Sequence, residues 1–122
     1  MSDEYKVKFF YDPETSRNPV REYLDEVSDK EKAKILKYID FLRQHQGVLD
    51  EPYTKHIRDK IRELRVDFGK NRHRIFFFTF VGKNIILLHA FLKRTVQPPQ
   101  GEIIKAFNNY HIVLRNPKLY ED

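Results

Sequence analysis

Six cations fall on three segments that read as neighbouring strands in the second half of the chain: Arg62 and Arg65, Arg72 and Arg74, then the adjacent Lys93 and Arg94. Guanidinium forks match phosphate oxygens in shape and charge, and several of them around one cavity repel each other unless an anion sits among them. If the three segments pair as antiparallel strands, these side chains converge and phosphate is their natural guest. Any single strand-end cation is better read as a solvated guard against edge-to-edge pairing, and Glu63, alternating with Arg65, can neutralise it. The weight therefore rests on the cluster rather than on its members.

The charge distribution points the same way. Residues 55–94 hold 11 Lys and Arg against 3 Asp and Glu, a net of +8, while the rest of the chain nets −3. The same forty residues carry the densest β-forming runs, so the charge is fixed on a sheet rather than spread along a tail, as a polyanion-binding surface requires.

Other chemistries find little support. His45 and His56 read as loop or helix-end residues, and His89, inside an apolar run, as a hydrogen-bonded core residue rather than a base. His73 lies between two arginines and is expected to face away from them, while His111 follows Tyr110 on the last helix. No HExxH, CxxC, Gly-rich phosphate loop, GxSxG or catalytic carboxylate pair occurs, which disfavours metal, nucleotide-cofactor and serine-hydrolase chemistry. With no cysteine among 122 residues there is no disulfide framework and no thiolate metal site, as suits a reducing compartment. No cofactor and no metal are expected. The N-terminus lacks the apolar core of a secretory signal, and the apolar runs are too short to span a bilayer as helices, so the expected location is the cytoplasm, without membrane attachment.

The elements that must position the cations follow from periodicity. Residues 5–11 alternate as a strand until Asp12-Pro13 breaks it. Asn18-Pro19 marks an N-cap followed by proline at the first helical position, with Val20, Tyr23, Leu24 and Val27 as the apolar stripe. Ser28 and Glu31 form a capping-box pattern before a second helix that buries Ile35, Tyr38, Ile39 and Leu42 and ends near Gly47. Residues 48–56, with Pro52 and no clear period, read as a connection. Strands are expected over 61–68, 72–81 and 84–92, the last two joined by a type II′ turn at Gly82-Lys83, and the last so apolar that it must be covered on both faces. Pro98-Pro99 opens a final helix carrying Ile103, Ala106, Phe107 and Tyr110. The expected architecture is one α+β domain over residues 1–122, order βααβββα, with a mostly antiparallel sheet packed against helices.

Certain segments carry a resemblance. They are Ile61-Arg62-Glu63-Leu64-Arg65, Arg72-His73-Arg74-Ile75-Phe76-Phe77, Leu87-Leu88-His89-Ala90-Phe91-Leu92-Lys93-Arg94-Thr95, Pro98-Pro99 and Glu102-Ile103-Ile104-Lys105-Ala106. Together they resemble the HigB-like toxins of the RelE/ParE toxin–antitoxin superfamily, in a subgroup also labelled phage-derived. The resemblance implies a RelE-like fold and a metal-independent endoribonuclease, an mRNA interferase that cuts messenger in the ribosomal A site. It also implies a helix-turn-helix antitoxin as partner in a toxin–antitoxin hetero-oligomer.

Carried over by position, Arg65 matches the arginine of Glu-Leu-Arg, Arg74 that of Tyr-Arg-Ile, and Lys93 with Arg94 the Lys-Lys pair. These four become the candidate catalytic residues. Arg62, Arg72 and His73 become candidate RNA contacts, and Tyr110 or His111 a candidate acid or base. The chain departs from the pattern where His73 replaces Tyr and Arg94 replaces the second Lys. Three other readings compete: a non-nuclease toxin that binds DNA gyrase, a non-enzymatic nucleic-acid-binding module, and a degenerate prophage protein.

Overall fold

The computed structural model describes residues 4–121. Its elements are β1 (Lys6–Phe9), α1 (Pro19–Glu26), α2 (Asp29–Gln44), β2 (Thr54–Arg58), β3 (Ile61–Phe68), β4 (Asn71–Phe80), β5 (Asn84–Lys93), α3 (Gln100–Arg115) and a closing 3₁₀ turn (Pro117–Leu119). The helix starts fall where capping chemistry places them. The Asn18 side chain accepts the Arg21 amide at 3.1 Å, with Pro19 opening α1. The Ser28 hydroxyl accepts the Glu31 amide at 3.2 Å and donates to the Glu31 carboxylate at 2.8 Å.

The five strands form one sheet in the order β1-β5-β4-β3-β2, antiparallel throughout except for the parallel β1–β5 pair. Each face of the sheet has its own core. Leu64, Val66, Ile75, Phe77, Ile85 and Leu87 pack with Val20, Leu24, Ile35, Ile39 and Leu42 of α1 and α2. Ile61, Phe76, Phe78, Ile86, Leu88 and Phe91 pack with Ile103, Ala106, Tyr110 and Val113 of α3. Strand β5 serves both cores, which accounts for its unbroken apolar run.

Two sequence expectations are corrected. A strand, β2, begins inside the segment read as a connection and runs on to Arg58, giving the order βααββββα. This strand lies at the sheet edge, where few of its side chains are buried, so apolar alternation does not mark it. Its backbone pairs Thr54 with Leu64 and Lys55 with Glu63. The β4–β5 turn is not the expected two-residue II′ turn: Phe80 pairs with Asn84, leaving Val81, Gly82 and Lys83 in the loop, with positive φ at both Gly82 (73°) and Lys83 (66°).

A β-bulge interrupts β5. Phe76 pairs with His89 and Phe77 with Leu87, which leaves Leu88 without a partner. One extra residue reverses the alternation for everything after it. Ile85 and Leu87 face α1 and α2, yet after the bulge Ala90 takes that side and Phe91 joins the α3 core. Every later side chain of β5 changes face in the same way.

Candidate nucleic-acid interface

On the α3 face, strand register assembles charged side chains into rows. Arg65 stands opposite Arg74, and Arg74 opposite Phe91. The next row is Asp67, Arg72 and Lys93. On the other side, Lys55 of β2 stands opposite Glu63, which stands opposite Phe76. The hairpin aligns the two arginine strands, and the bulge brings Lys93 to the same face.

Glu63 holds the centre. Its Oε1 lies 3.4 Å from Arg65 Nε and 3.9 Å from Arg74 Nε. Arg74 Nη1 donates to Asp67 Oδ1 at 2.8 Å and to the His73 carbonyl at 3.0 Å. The Arg74 and Glu63 side chains are each only 4% exposed, so their charges compensate one another in a medium where either alone would be costly. Arg65 is 26% exposed and reaches the surface. The buried Nε atoms of Arg65 and Arg74 face the Glu63 carboxylate at ion-pair distance without completing a hydrogen bond to it. Burial pushes the Lys93 ammonium below the usual lysine range; Glu63 opposes the shift, and Arg74, Arg65 and Lys55 add to it.

Arg65, Arg72, Arg74 and Asp67 line an open cavity of about 340 Å³ together with Lys34 and Tyr38 of α2 and Tyr53 before β2. Lys34, Lys55 and Tyr53 were not among the residues the sequence pointed to for the site, and Tyr38 was expected only on the buried face of α2. Lys55 and Tyr53 sit on or beside the unmarked edge strand, and the α2 residues approach from a helix whose packing on the sheet no local pattern reveals.

The other predicted site residues lie elsewhere. Arg62 donates to Thr54 Oγ1 at 3.0 Å, and Thr54 in turn hydrogen-bonds the carbonyl of Leu49, a residue of the α1/α2 core. His73 does face away from Arg72 and Arg74, and its expected role as an RNA contact is corrected: it is 2% exposed and fully engaged. Its Nδ1 is 2.6 Å from the Tyr23 hydroxyl and its Nε2 is 2.9 Å from Glu31 Oε1. Hydrogen bonds from Asn71, His73 and Ser28 hold the Glu31 carboxyl down to about 2. Burial, with Glu31 nearby, pushes the Tyr23 phenol up to about 12 against the opposing charge of Arg94. Arg94 is therefore on the α1 side, exposed, and apart from Lys93 despite being its neighbour in sequence.

Tyr110 is 8% exposed, and its ring sits 4.7 Å from that of Phe78 in the α3 core. Phe78 lies four residues along β4 from Arg74, roughly 13 Å at strand rise. His111 stacks edge-on against Phe107 at 4.6 Å. The structure brings neither to the arginine rows. His89, read as a core residue, is partly that: burial pushes its pKa below the usual histidine value, and its Nε2 is 2.6 Å from Glu102 Oε1 on α3.

The profile of the family described as Phage derived protein Gp49-like (DUF891) matches residues 22–111. The chain belongs to this family. It is a family related to the toxins of toxin–antitoxin systems. The match to this Gp49-like family runs from α1 into α3 and takes in Glu63, Arg65, Arg72, Arg74 and Lys93. No curated protein matches the chain. Among the described residues no helix is long and apolar enough to cross a membrane.

Proposed function

We propose that this Gp49-like protein is the toxin of a type II toxin–antitoxin pair and acts as a metal-independent, ribosome-dependent mRNA endonuclease of the HigB/RelE kind. The observation that carries the reading is the convergence of Arg65, Arg74 and Lys93 on one face of the sheet. Such a surface suits a phosphodiester in which charge builds up during the reaction.

In this reading Arg65 and Arg72 hold the phosphate oxygens, and Arg74, fixed by Asp67, stabilises the charge of the pentacoordinate state. The ribose 2′-oxygen forms a bond to phosphorus as the bond from phosphorus to the 5′-oxygen breaks, giving a 2′,3′-cyclic phosphate and a 5′-hydroxyl. The 2′-hydroxyl proton passes to solvent in the open cavity, and Lys93 protonates the departing 5′-oxygen. A lysine whose pKa is lowered by burial and neighbouring cations gives up its proton more readily than an ordinary one. The antitoxin would be the acidic counterpart of the +8 sheet, and the cytoplasm, where ribosomes work, the site of action.

The test is a reconstituted translation reaction with purified protein. Fragments bearing 5′-hydroxyl ends, formed only on translated message and lost with Lys93→Met, support the reading. Intact message under the same conditions contradicts it.

A further inference from the structure

The arginine cavity does not end at Arg65. Tyr38 and Tyr53 line it and also line a second open cavity of about 440 Å³, which continues along α2 past Phe41 and Gln44. Their rings lie 6.2 Å apart, and Phe41 sits 6.0 Å from Tyr53. Phe41 and Tyr53 are 37% and 42% exposed, which is unusual for rings of this size in a chain with two formed cores. The backbone fixes this aromatic strip to the cations: the Tyr53 carbonyl accepts the Arg65 amide at 2.9 Å. Lys34 Nζ, which lines the arginine cavity, sits 5.6 Å from the centre of the Tyr38 ring.

The charges along this path favour an anion. Asp67 is taken up by Arg74 and Asp40 by Arg43 and Gln44, at 2.8, 2.9 and 2.7 Å. That leaves Lys37 and Arg72 as unshared charges along the path, with Lys34, which donates to the Asp67 carbonyl, and Arg65, which is paired with Glu63, beside them. Flat exposed rings beside a basic groove are the arrangement that binds single-stranded nucleic acid, with bases stacking while the groove follows the backbone.

We infer that Tyr53, Phe41 and Tyr38 form a base-stacking platform that holds single-stranded RNA leading out of the Arg65–Arg72 cavity. This rests on the RNA-cleaving reading and adds to it the state of the substrate: unpaired nucleotides flanking the reacting phosphate, gripped by their faces rather than read by their edges. Binding along the strip would consequently show little preference among bases.

The experiment titrates the full chain into an end-labelled single-stranded RNA decamer, followed by fluorescence anisotropy. A second decamer of the same length has abasic nucleotides in place of the central bases. Tyr53→Ser is expected to weaken binding of the normal decamer roughly tenfold and leave the abasic one unchanged. Arg72→Ala is expected to weaken both and to lower the salt dependence by about one phosphate contact. Because Phe41 lies on a different element, Phe41→Ser replaces Tyr53→Ser if the latter does not fold.

Normal RNA affinity that survives loss of the rings overturns the platform, as does an equal loss on abasic RNA. In the first case cleavage would still stand and the aromatic strip would be left as a protein-facing surface. Absence of both binding and cleavage in the unsubstituted chain would overturn the two readings together.

Discussion

Lys93 stands directly opposite Arg72 across the β4–β5 pairing, on the same face as Arg65 and Arg74, because Leu88 is one residue too many in β5. Arg94, next in sequence, lies on the side of Tyr23. Two adjacent cations thus serve different faces of one sheet.

Their substitutions should differ accordingly. Lys93→Met is expected to lower mRNA cleavage by about 10²–10³-fold, the usual loss when a group acting on developing charge is removed. Arg94→Met should cost less than tenfold. The pH dependence adds a signed check: Lys93 must be protonated to act as an acid, and its pKa is lowered, so activity should fall on the alkaline side before an ordinary lysine would titrate. Rates of message cleavage by the unsubstituted chain and the two variants across alkaline pH measure both, the alkaline fall being expected wherever Lys93 is present.

Arg65 and Arg74 should also separate, by stability. Arg74 is buried against Glu63 and Asp67, so Arg74→Ala leaves Glu63 buried with less compensation and should destabilise the fold by about 3–5 kcal/mol. Arg65, partly exposed, should cost far less when truncated. Urea denaturation of the two variants gives the comparison, and a functional test should use Arg65.

The Tyr23–His73–Glu31 network predicts acid sensitivity. The folded-state pKa of Glu31 is about 2, below its unfolded value, so the carboxylate stabilises the fold above about pH 4.3. That contribution is lost progressively as pH falls from there toward 2. Thermal midpoints measured between pH 6 and pH 2 should drop over this window, and Glu31→Gln should flatten the drop while lowering the midpoint at pH 6.

Gly47 closes the end of α2 with φ at 79°, and a Cβ there would stand 2.6 Å from Thr79 Oγ1. Gly47→Ala combines left-handed strain with a contact that forces a shift. It should lower stability by at least about 1–2 kcal/mol, measurable by chemical denaturation.

Much of this was legible in the sequence, for definite reasons. Asn18-Pro19 and Ser28…Glu31 mark helix starts because capping is local chemistry, and the β3–β4 hairpin brings Arg65 opposite Arg74 because a tight turn fixes register. The face of Lys93 was not legible. Residues 85–88 are all apolar, so no alternation reveals where the bulge falls. Strand β2 escaped because an edge strand is held by backbone pairing rather than by a buried stripe. Glu63 was read as a partner of Arg65, but its reach to Arg74 depends on β3 and β4 lying side by side.

On the proposed function, the face carrying Arg65, Arg74 and Lys93 cleaves messenger during translation. The most direct test is to induce the chain, Arg65→Ala and Lys93→Met in cells and map new 5′ ends across all mRNAs. New ends are expected to be confined to translated regions for the unsubstituted chain and strongly reduced for both variants at equal protein levels. Growth arrest without new ends, or ends that persist in both variants, would contradict it.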